Sequence, residues 1–408
     1  MQPRNPSDKK TSVFITRQIL LWICLIISTV ILFKVASPML TRIAFWEGDF
    51  ALYWSTGRLN ITGGNPYSPQ ENLALEKEQK LIAPEVTEIV SMRYPPWTMP
   101  IISLLGLFSY PDSRLLWMLL NIAAILFSSG ELWSIYQGPP RLRWVAWIIG
   151  FCFAPTFFAL GRGQLSPLML VGFVGFLKYI EKPQKYWLAG VFLTLTTFKF
   201  HIFPLFFLAL AFWLPDHRRW MVLVGFLAAI VVALGVVLPL NPAIIQQYLT
   251  ARQAFSHTNF ATATIGTFLR ETFDPQLAWL QFIPVLFGIF WLIIYWRRRR
   301  LTWQWNEQLP WILLVSFSTA AFAWTYDQVV LIMIGVIAFI NIILKNRSWQ
   351  GILWFLVYAG INILTVILHR SYDEAWFFWL APAWLVWFFV TRKWSGKMIH
   401  EQSSLENY

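Results

Sequence analysis

Apolar stretches long enough to cross a bilayer follow one another almost end to end through this chain, separated only by short polar or basic connections. A crossing helix needs about 20 apolar residues. Backbone polar groups in hydrocarbon must be satisfied within the segment, which leaves helices or a closed barrel. The strict apolar/polar alternation of a barrel is missing. The pattern therefore predicts an all-α polytopic integral membrane protein of about 12 transmembrane helices. Composition agrees: of 408 residues, 57% are hydrophobic and 13% charged, where soluble domains carry about 25% charged residues.

The net charge of +12 does not point to nucleic acid, because the basic residues stand in small groups between apolar segments. Positive-inside anchoring explains them better. On that rule Lys9/Lys10/Arg17, Arg218/Arg219, Arg297 to Arg300, Lys345/Arg347 and Arg392/Lys393/Lys397 are cytoplasmic. Trp144, Trp187, Trp220, Trp291 and Tyr295 fall at segment ends, as in an interfacial aromatic belt. Cys24 and Cys152 both lie in apolar runs, so neither a disulfide framework nor a zinc site is expected. The run from Ile19 to Val35 lacks a small-residue cleavage pattern and is read as a retained first span.

These assignments give a cytoplasmic tail over 1–17, one membrane domain over 18–395 and a second cytoplasmic tail over 396–408. Extracytoplasmic loops cover 38–93 and 241–276. Six apolar segments lie between the first outer loop and Arg218/Arg219, yet an odd number of crossings is needed. The short segment Tyr94 to Tyr110, with Pro95, Pro96 and Pro100 near its start, is read as interfacial or re-entrant. The competing topology makes it a true span and moves Lys199 inside. In the preferred one, Asp49, Arg58, Arg93, Arg162, Gln164, Lys199, His201, His257, Asp327, His369 and Arg370 share the outer side. Ionisable groups converging on one membrane face define a candidate site.

Each motif admits a plain reading beside a functional one. Asp49, Tyr53 and Thr56 are spaced to share a helix face, with apolar Phe50, Leu52 and Trp54 suggesting a helix along the membrane surface. Asp49 is a candidate general base, or merely an acid favoured at a helix start. Arg93 is suited to gripping a phosphate, or to snorkelling. Arg162 and Gln164 share a glycine-rich turn that turn chemistry alone does not explain. Lys199 and His201 interrupt an apolar tract from Trp187 to Trp213, where a charge costs about 2.5–3.5 kcal/mol. Such a lysine calls for an anionic partner, either a lipid phosphate or a carboxylate such as Asp49. Tyr326 and Asp327 offer hydrogen bonds to sugar hydroxyls, or form an ordinary interfacial pair. Asn60-Ile-Thr62 matches a glycosylation acceptor by chance. No Walker loop, GxGxxG or paired-cysteine metal motif is present, so no cofactor or metal is assigned.

Taken in order, Gly48-Asp49-Phe50 with Tyr53 and Gly57-Arg58, then Gly63-Gly-Asn-Pro-Tyr67, Tyr94-Pro-Pro, Gly163-Gln164, Ala189-Gly190 leading to Lys199, and Trp324 with Asp327 resemble the GT-C superfamily of glycosyltransferases. Within it the chain is similar to the polyprenol-phosphate mannosyltransferase-like family, glycosyltransferase family 87. That family often has proline after the lysine and histidine after the later aspartate; here Phe200 and Gln328 stand in those places. The resemblance implies a hexosyl-, typically mannosyl-, transferase with inversion, acting at the extracytoplasmic face of the plasma (inner) membrane. The donor would be a polyprenyl-phosphate sugar and the acceptor a lipid or glycan. By the same resemblance Asp49 would be the catalytic base, and Lys199 with Arg93 and Arg162 would hold the donor phosphate. Tyr53, Gln164, His201, Tyr326 and Asp327 would meet sugar or acceptor. Two rival readings are a transporter or flippase of lipid-linked glycans, and a structural membrane subunit. Against the first, no internal repeat is visible.

Overall fold

A computed structural model describes residue 34 and residues 49–90, 92–253, 260–344 and 348–405, with the side chains of 348, 350 and 393–405 left aside. The expected first span from Ile19 to Val35, the motif residues Glu47 and Gly48, His257, and the basic groups Lys9/Lys10/Arg17 and Lys345/Arg347 lie outside the described residues.

Helix α1 (Phe50–Thr62) ends at Gly63 in the left-handed conformation (φ 85°). After the turn comes α2 (Pro69–Glu78), whose first turn is capped by the Ser68 hydroxyl. The two helices are clasped by Ser55, whose hydroxyl lies 2.7 Å from Asn72 Oδ1 and 2.8 Å from Glu76 Oε1. Glu76 is buried there, and burial pushes its carboxyl above the ordinary value while the Ser55 hydroxyl partly offsets the rise. Phe50 and Trp54 do not face lipid as their apolar character suggested. They pack inward against Tyr110, with ring centroids 5.5 and 5.7 Å apart. Asn60 is buried too, its amide donating to Ser103, so the glycosylation match has no accessible acceptor.

A 3₁₀ turn (Pro96–Thr98) leads into α3 (Met99–Gly106). Eight helical residues rise about 12 Å, far short of the roughly 30 Å hydrocarbon core. Its outward Leu104, with Leu107 and Phe108 just beyond, remains exposed. This fits an interfacial segment. Helix α1 crosses α3 at two glycines, where a methyl group on Gly57 would strike the Ile102 carbonyl and one on Gly106 the backbone of Gly57 and Arg58.

The bundle follows. It runs through α4 (Tyr110–Ile135), α5 (Arg143–Phe151) and α6 (Ala154–Arg162), the last two bent by 64° near Pro155, then α7 (Ser166–Ile180) and α8 (Tyr186–Thr196). A 3₁₀ segment (Thr197–Ile202) separates α8 from α9 (Pro204–His217), and α10 (Met221–Val237) packs on α8 through Gly190 and Gly225. After α11 (Ile244–Gln253) and α12 (Ile265–Phe273) come α13 (Ile283–Arg299), α14 (Trp305–Thr319) and a 3₁₀ turn (Thr325–Leu331) continuing into α15 (Ile332–Leu344). Helix α16 (Ser348–Leu368), a last 3₁₀ turn (Glu374–Trp379) and α17 (Leu380–Leu405) complete it. Among the described residues there is no strand.

Among the described residues, five helical stretches are long and apolar enough to cross a membrane: Tyr110–Ile135, Ala278–Thr302, Thr325–Leu344, Gly351–Leu368 and Glu374–Arg392. The bent pair α5–α6 would make a sixth, while Ser166–Ile180 and Met221–Val237 are apolar but shorter. The apolar tracts counted in the sequence are thus cut by proline and by 3₁₀ turns into pieces of unequal length. Leu286, Phe287 and Phe290 on α13 and Val231 and Val232 on α10 point outward, as side chains facing lipid do.

Candidate active site

Four breaks in helical structure meet at one place: the start of α1, the turn between α6 and α7, and the two 3₁₀ segments that carry Lys199 and Asp327. Asp49 occupies the N-cap of α1, yet its carboxylate makes no cap hydrogen bond. It accepts instead from the side-chain amide of Gln164, 115 residues away. The carboxylate is thus engaged by the buried Gln164 and not by the free N–H groups of its own helix. Gln164 follows Gly163, whose left-handed conformation (φ 68°) ends α6. The turn is pinned by α4, since the Trp117 indole donates to Gly163 O at 2.7 Å and Arg114 to Gly161 O at 2.5 Å.

The Gln164 carbonyl accepts from Lys199 Nζ at 3.0 Å and from the Tyr53 hydroxyl at 3.1 Å. Tyr53 also meets Tyr94, the two hydroxyls 3.0 Å apart. Burial, with Tyr94 and Asp49 nearby, pushes the Tyr53 phenol well above its usual value, so it stays a donor. Lys199 has non-helical backbone angles (φ −129°, ψ 57°) that turn its side chain into the protein. Its ammonium is 2% exposed and pairs with Asp327 Oδ1 at 2.7 Å; the Asp327 side chain is fully buried. The rings of Tyr326, Tyr94 and Trp324 surround it, at 4.7, 5.7 and 5.8 Å. The expected anionic partner is therefore present, and it is Asp327; Asp49 is reached only through Gln164.

Asp327 has little left to offer a sugar. Its Oδ1 accepts from Ser166 at 2.6 Å as well as from Lys199, and its Oδ2 from the Trp324 backbone at 3.1 Å. It orients the lysine and the turn. Arg162 lies over the Tyr326 ring at 5.6 Å, with its buried Nε lacking a hydrogen-bond partner. Arg93 stacks on Phe260 at 4.1 Å. Burial pulls the Arg93 guanidinium down to about 10, leaving it charged at neutral pH, within electrostatic reach of Asp49. Thr56, expected on the same face as Asp49, turns instead toward Asn72 and the Pro66 carbonyl.

His201 stands apart from this network. Two residues beyond Lys199, it is exposed in a groove of about 400 Å³ lined by Trp97, Thr197, Phe200, His201, Pro204, Phe207 and Phe226. Trp97 fixes one wall by donating to Thr197 Oγ1 at 2.9 Å. Sequence reading passed over Ser166 and Glu374, and named Tyr94 and Trp324 without a role. Among the described residues no group of three His, Cys, Asp or Glu is placed to hold a metal ion.

An acid–amide–lysine–acid chain thus links Asp49, Gln164, Lys199 and Asp327 within the helical bundle. The model of glycosyltransferase family 87 matches residues 93–319, more than half of the chain, and the chain belongs to that family. It is a membrane glycosyltransferase. The match takes in Arg93, Arg162, Gln164, Lys199 and His201, and ends before Tyr326 and Asp327. Nothing among curated proteins or solved structures matches the chain.

Proposed function

We propose that this glycosyltransferase moves a hexose, in the first instance mannose, from a polyprenyl phosphate to a lipid or glycan acceptor, with inversion. Its site faces the outside of the plasma (inner) membrane. The observation that carries the reading is the pairing, through Gln164, of one half-buried carboxylate with one buried lysine. Inversion needs a base on the acceptor hydroxyl and cations on the departing phosphate. Asp49 takes the hydroxyl proton as the acceptor oxygen bonds to the anomeric carbon. The bond from that carbon to the phosphate oxygen breaks, and its electrons leave with the phosphate. An ammonium has three N–H donors, and Lys199 gives two, to Gln164 and Asp327. The third is left for a phosphate oxygen, with Arg162 and Arg93 sharing the growing charge. A phosphate leaving group needs no proton at neutral pH, so a second catalytic acid is not required.

The apolar groove lined by Phe200 and Phe226, which flanks the segment carrying Lys199, supports a lipid-linked donor, whose isoprenoid chain it would hold. Transfer of radiolabel from polyprenyl-phosphate hexoses into membrane extracts tests the reading. Asp49→Asn should cut transfer by about 10²- to 10⁴-fold while donor binding persists. A residual rate above roughly a tenth of wild type would remove Asp49 as the base.

A further inference from the structure

A second polar cluster lies near Tyr326; it shares Arg162 with the proposed phosphate contacts, while its other members, His369 and Glu374, have no part in the transfer chemistry. His369, just past the end of α16, packs its ring on Phe158 with centroids 4.2 Å apart. Its Nε2 is 3.8 Å from Glu374 Oε1, too long for a hydrogen bond. Glu374 Oε2 is fully engaged, accepting from the backbone and hydroxyl of Thr325 at 3.0 and 2.8 Å. Three buried atoms, Arg162 Nε, His369 Nδ1 and Glu374 Oε1, have no hydrogen-bond partner among the described residues. Both His369 and Glu374 feel the charge of Arg162.

Leaving one such atom unsatisfied is costly, and three together are rare. One donor, one acceptor and an imidazole that serves as either, set against aromatic rings, are the complement of vicinal sugar hydroxyls. A phosphate would meet the Glu374 carboxylate, and an apolar ligand would leave all three atoms unpaired. We infer that Arg162, His369 and Glu374 form a hydroxyl-binding pocket for a pyranose, alongside the Asp49–Lys199 network. The pocket rests on the glycosyltransferase reading only for the source of its sugar, which is either the donor's hexose or the acceptor glycan. Glu374 meanwhile holds Thr325, so occupation of the pocket is felt directly in the turn that carries Tyr326 and Asp327.

The test uses the full chain in nanodiscs, with methyl α-mannoside, α-glucoside and α-galactoside as probes read by saturation-transfer NMR. Glu374→Gln keeps an acceptor for Thr325, and His369→Phe keeps the packing on Phe158. Wild type should bind at least one glycoside, and each variant should lose roughly tenfold or more in affinity. Displacement of the glycoside by a polyprenyl-phosphate hexose identifies the donor as the source; simultaneous binding identifies the acceptor. Should a variant fail to fold, slowing of His369 modification by diethyl pyrocarbonate when the glycoside is added to unaltered protein reads the same contact. No glycoside binding to wild type, unchanged affinity in both folded variants, or no protection of His369 overturns the pocket. Absent sugar transfer with glycoside binding intact would overturn the polyprenyl-phosphate reading and leave the pocket standing.

Discussion

Lys199 and Asp327, 128 residues apart in sequence, meet at 2.7 Å in the interior. Breaking a buried pair on one side strands the other charge and costs about 3–5 kcal/mol, whereas replacing both partners by apolar groups is often near neutral. Lys199→Met should therefore unfold far more readily than wild type. Adding Asp327→Leu should restore much of that stability without restoring sugar transfer. Thermal unfolding and donor binding, measured on the same nanodisc preparations, check both halves. Donor affinity per folded molecule that is unchanged in Lys199→Met would confine the lysine to a structural role.

Gln164 is the bridge between the proposed base and the lysine, its amide serving Asp49 and its carbonyl Lys199 and Tyr53. Gln164→Leu should slow transfer by leaving buried Lys199 and Tyr53 and half-buried Asp49 each short of a partner, with about 1–3 kcal/mol lost for each buried group. Gln164→Glu adds a third carboxylate beside the phosphate position, and should raise the donor KM more than Gln164→Leu does. A kcat and KM comparison of the two variants decides it; an equal donor KM in both would place the phosphate elsewhere.

Glu76 gives the α1–α2 pair a stability that depends on pH. Burial raises its folded-state pKa above the unfolded value, so the folded chain holds its proton more tightly than the unfolded one. Its contribution is then fully present below the ordinary carboxylate pKa and is lost as pH rises through the raised one. Glu76→Gln should be as stable as wild type or more so at neutral pH, with a flatter pH profile over that window. Unfolding curves from mildly acidic to neutral pH provide the measurement, and a variant less stable than wild type at neutral pH would contradict it.

Filling the groove should discriminate between donors by chain length. Phe226→Trp narrows the space beside Phe200 and Phe207. Each methylene shut out costs about 0.8 kcal/mol, or roughly fourfold in affinity. The KM for long polyprenyl phosphates should rise while that for short-chain analogues holds. A uniform change across chain lengths would argue that the isoprenoid lies elsewhere.

Orientation can be read by labelling. In a chain lacking Cys24 and Cys152, cysteines at Glu85, Phe200 and Gln276, all exposed, should react with an impermeant thiol reagent from outside. A cysteine at Arg298 should react only after the inner face is opened. Protection of position 200 from the outside would reverse the proposed side of the site.

Much of this arrangement was legible in sequence wherever polarity broke an apolar run. Gln164 and Lys199 stood out for that reason, Asp49 for its helical spacing with Tyr53 and Asp327 for its place at a span end, and the four meet. What they do for one another was not legible. The Lys199–Asp327 pair and the Ser166 contact span 128 and 161 residues, and separations of that size leave no periodicity to read. His201 shows the limit at short range. One turn of 3₁₀ backbone buries Lys199 and leaves His201 exposed two residues later, since side chains two positions apart on a helix point to different faces. Glu374 drew no attention in the sequence, since only the fold brings Thr325 to it.

The placement of Asp49 has a source that bears no functional group. Helix α1 lies against α3 because Gly57 and Gly106 have nothing beyond their backbones at the crossing, and Arg58 ties the two by donating to the Gly106 carbonyl at 3.0 Å. A single added methyl at either glycine would lift α1 away and carry the carboxylate at its first turn out of reach of Gln164. Two missing side chains, eight and 57 positions along the chain from the proposed base, thus set where the acceptor's proton would go.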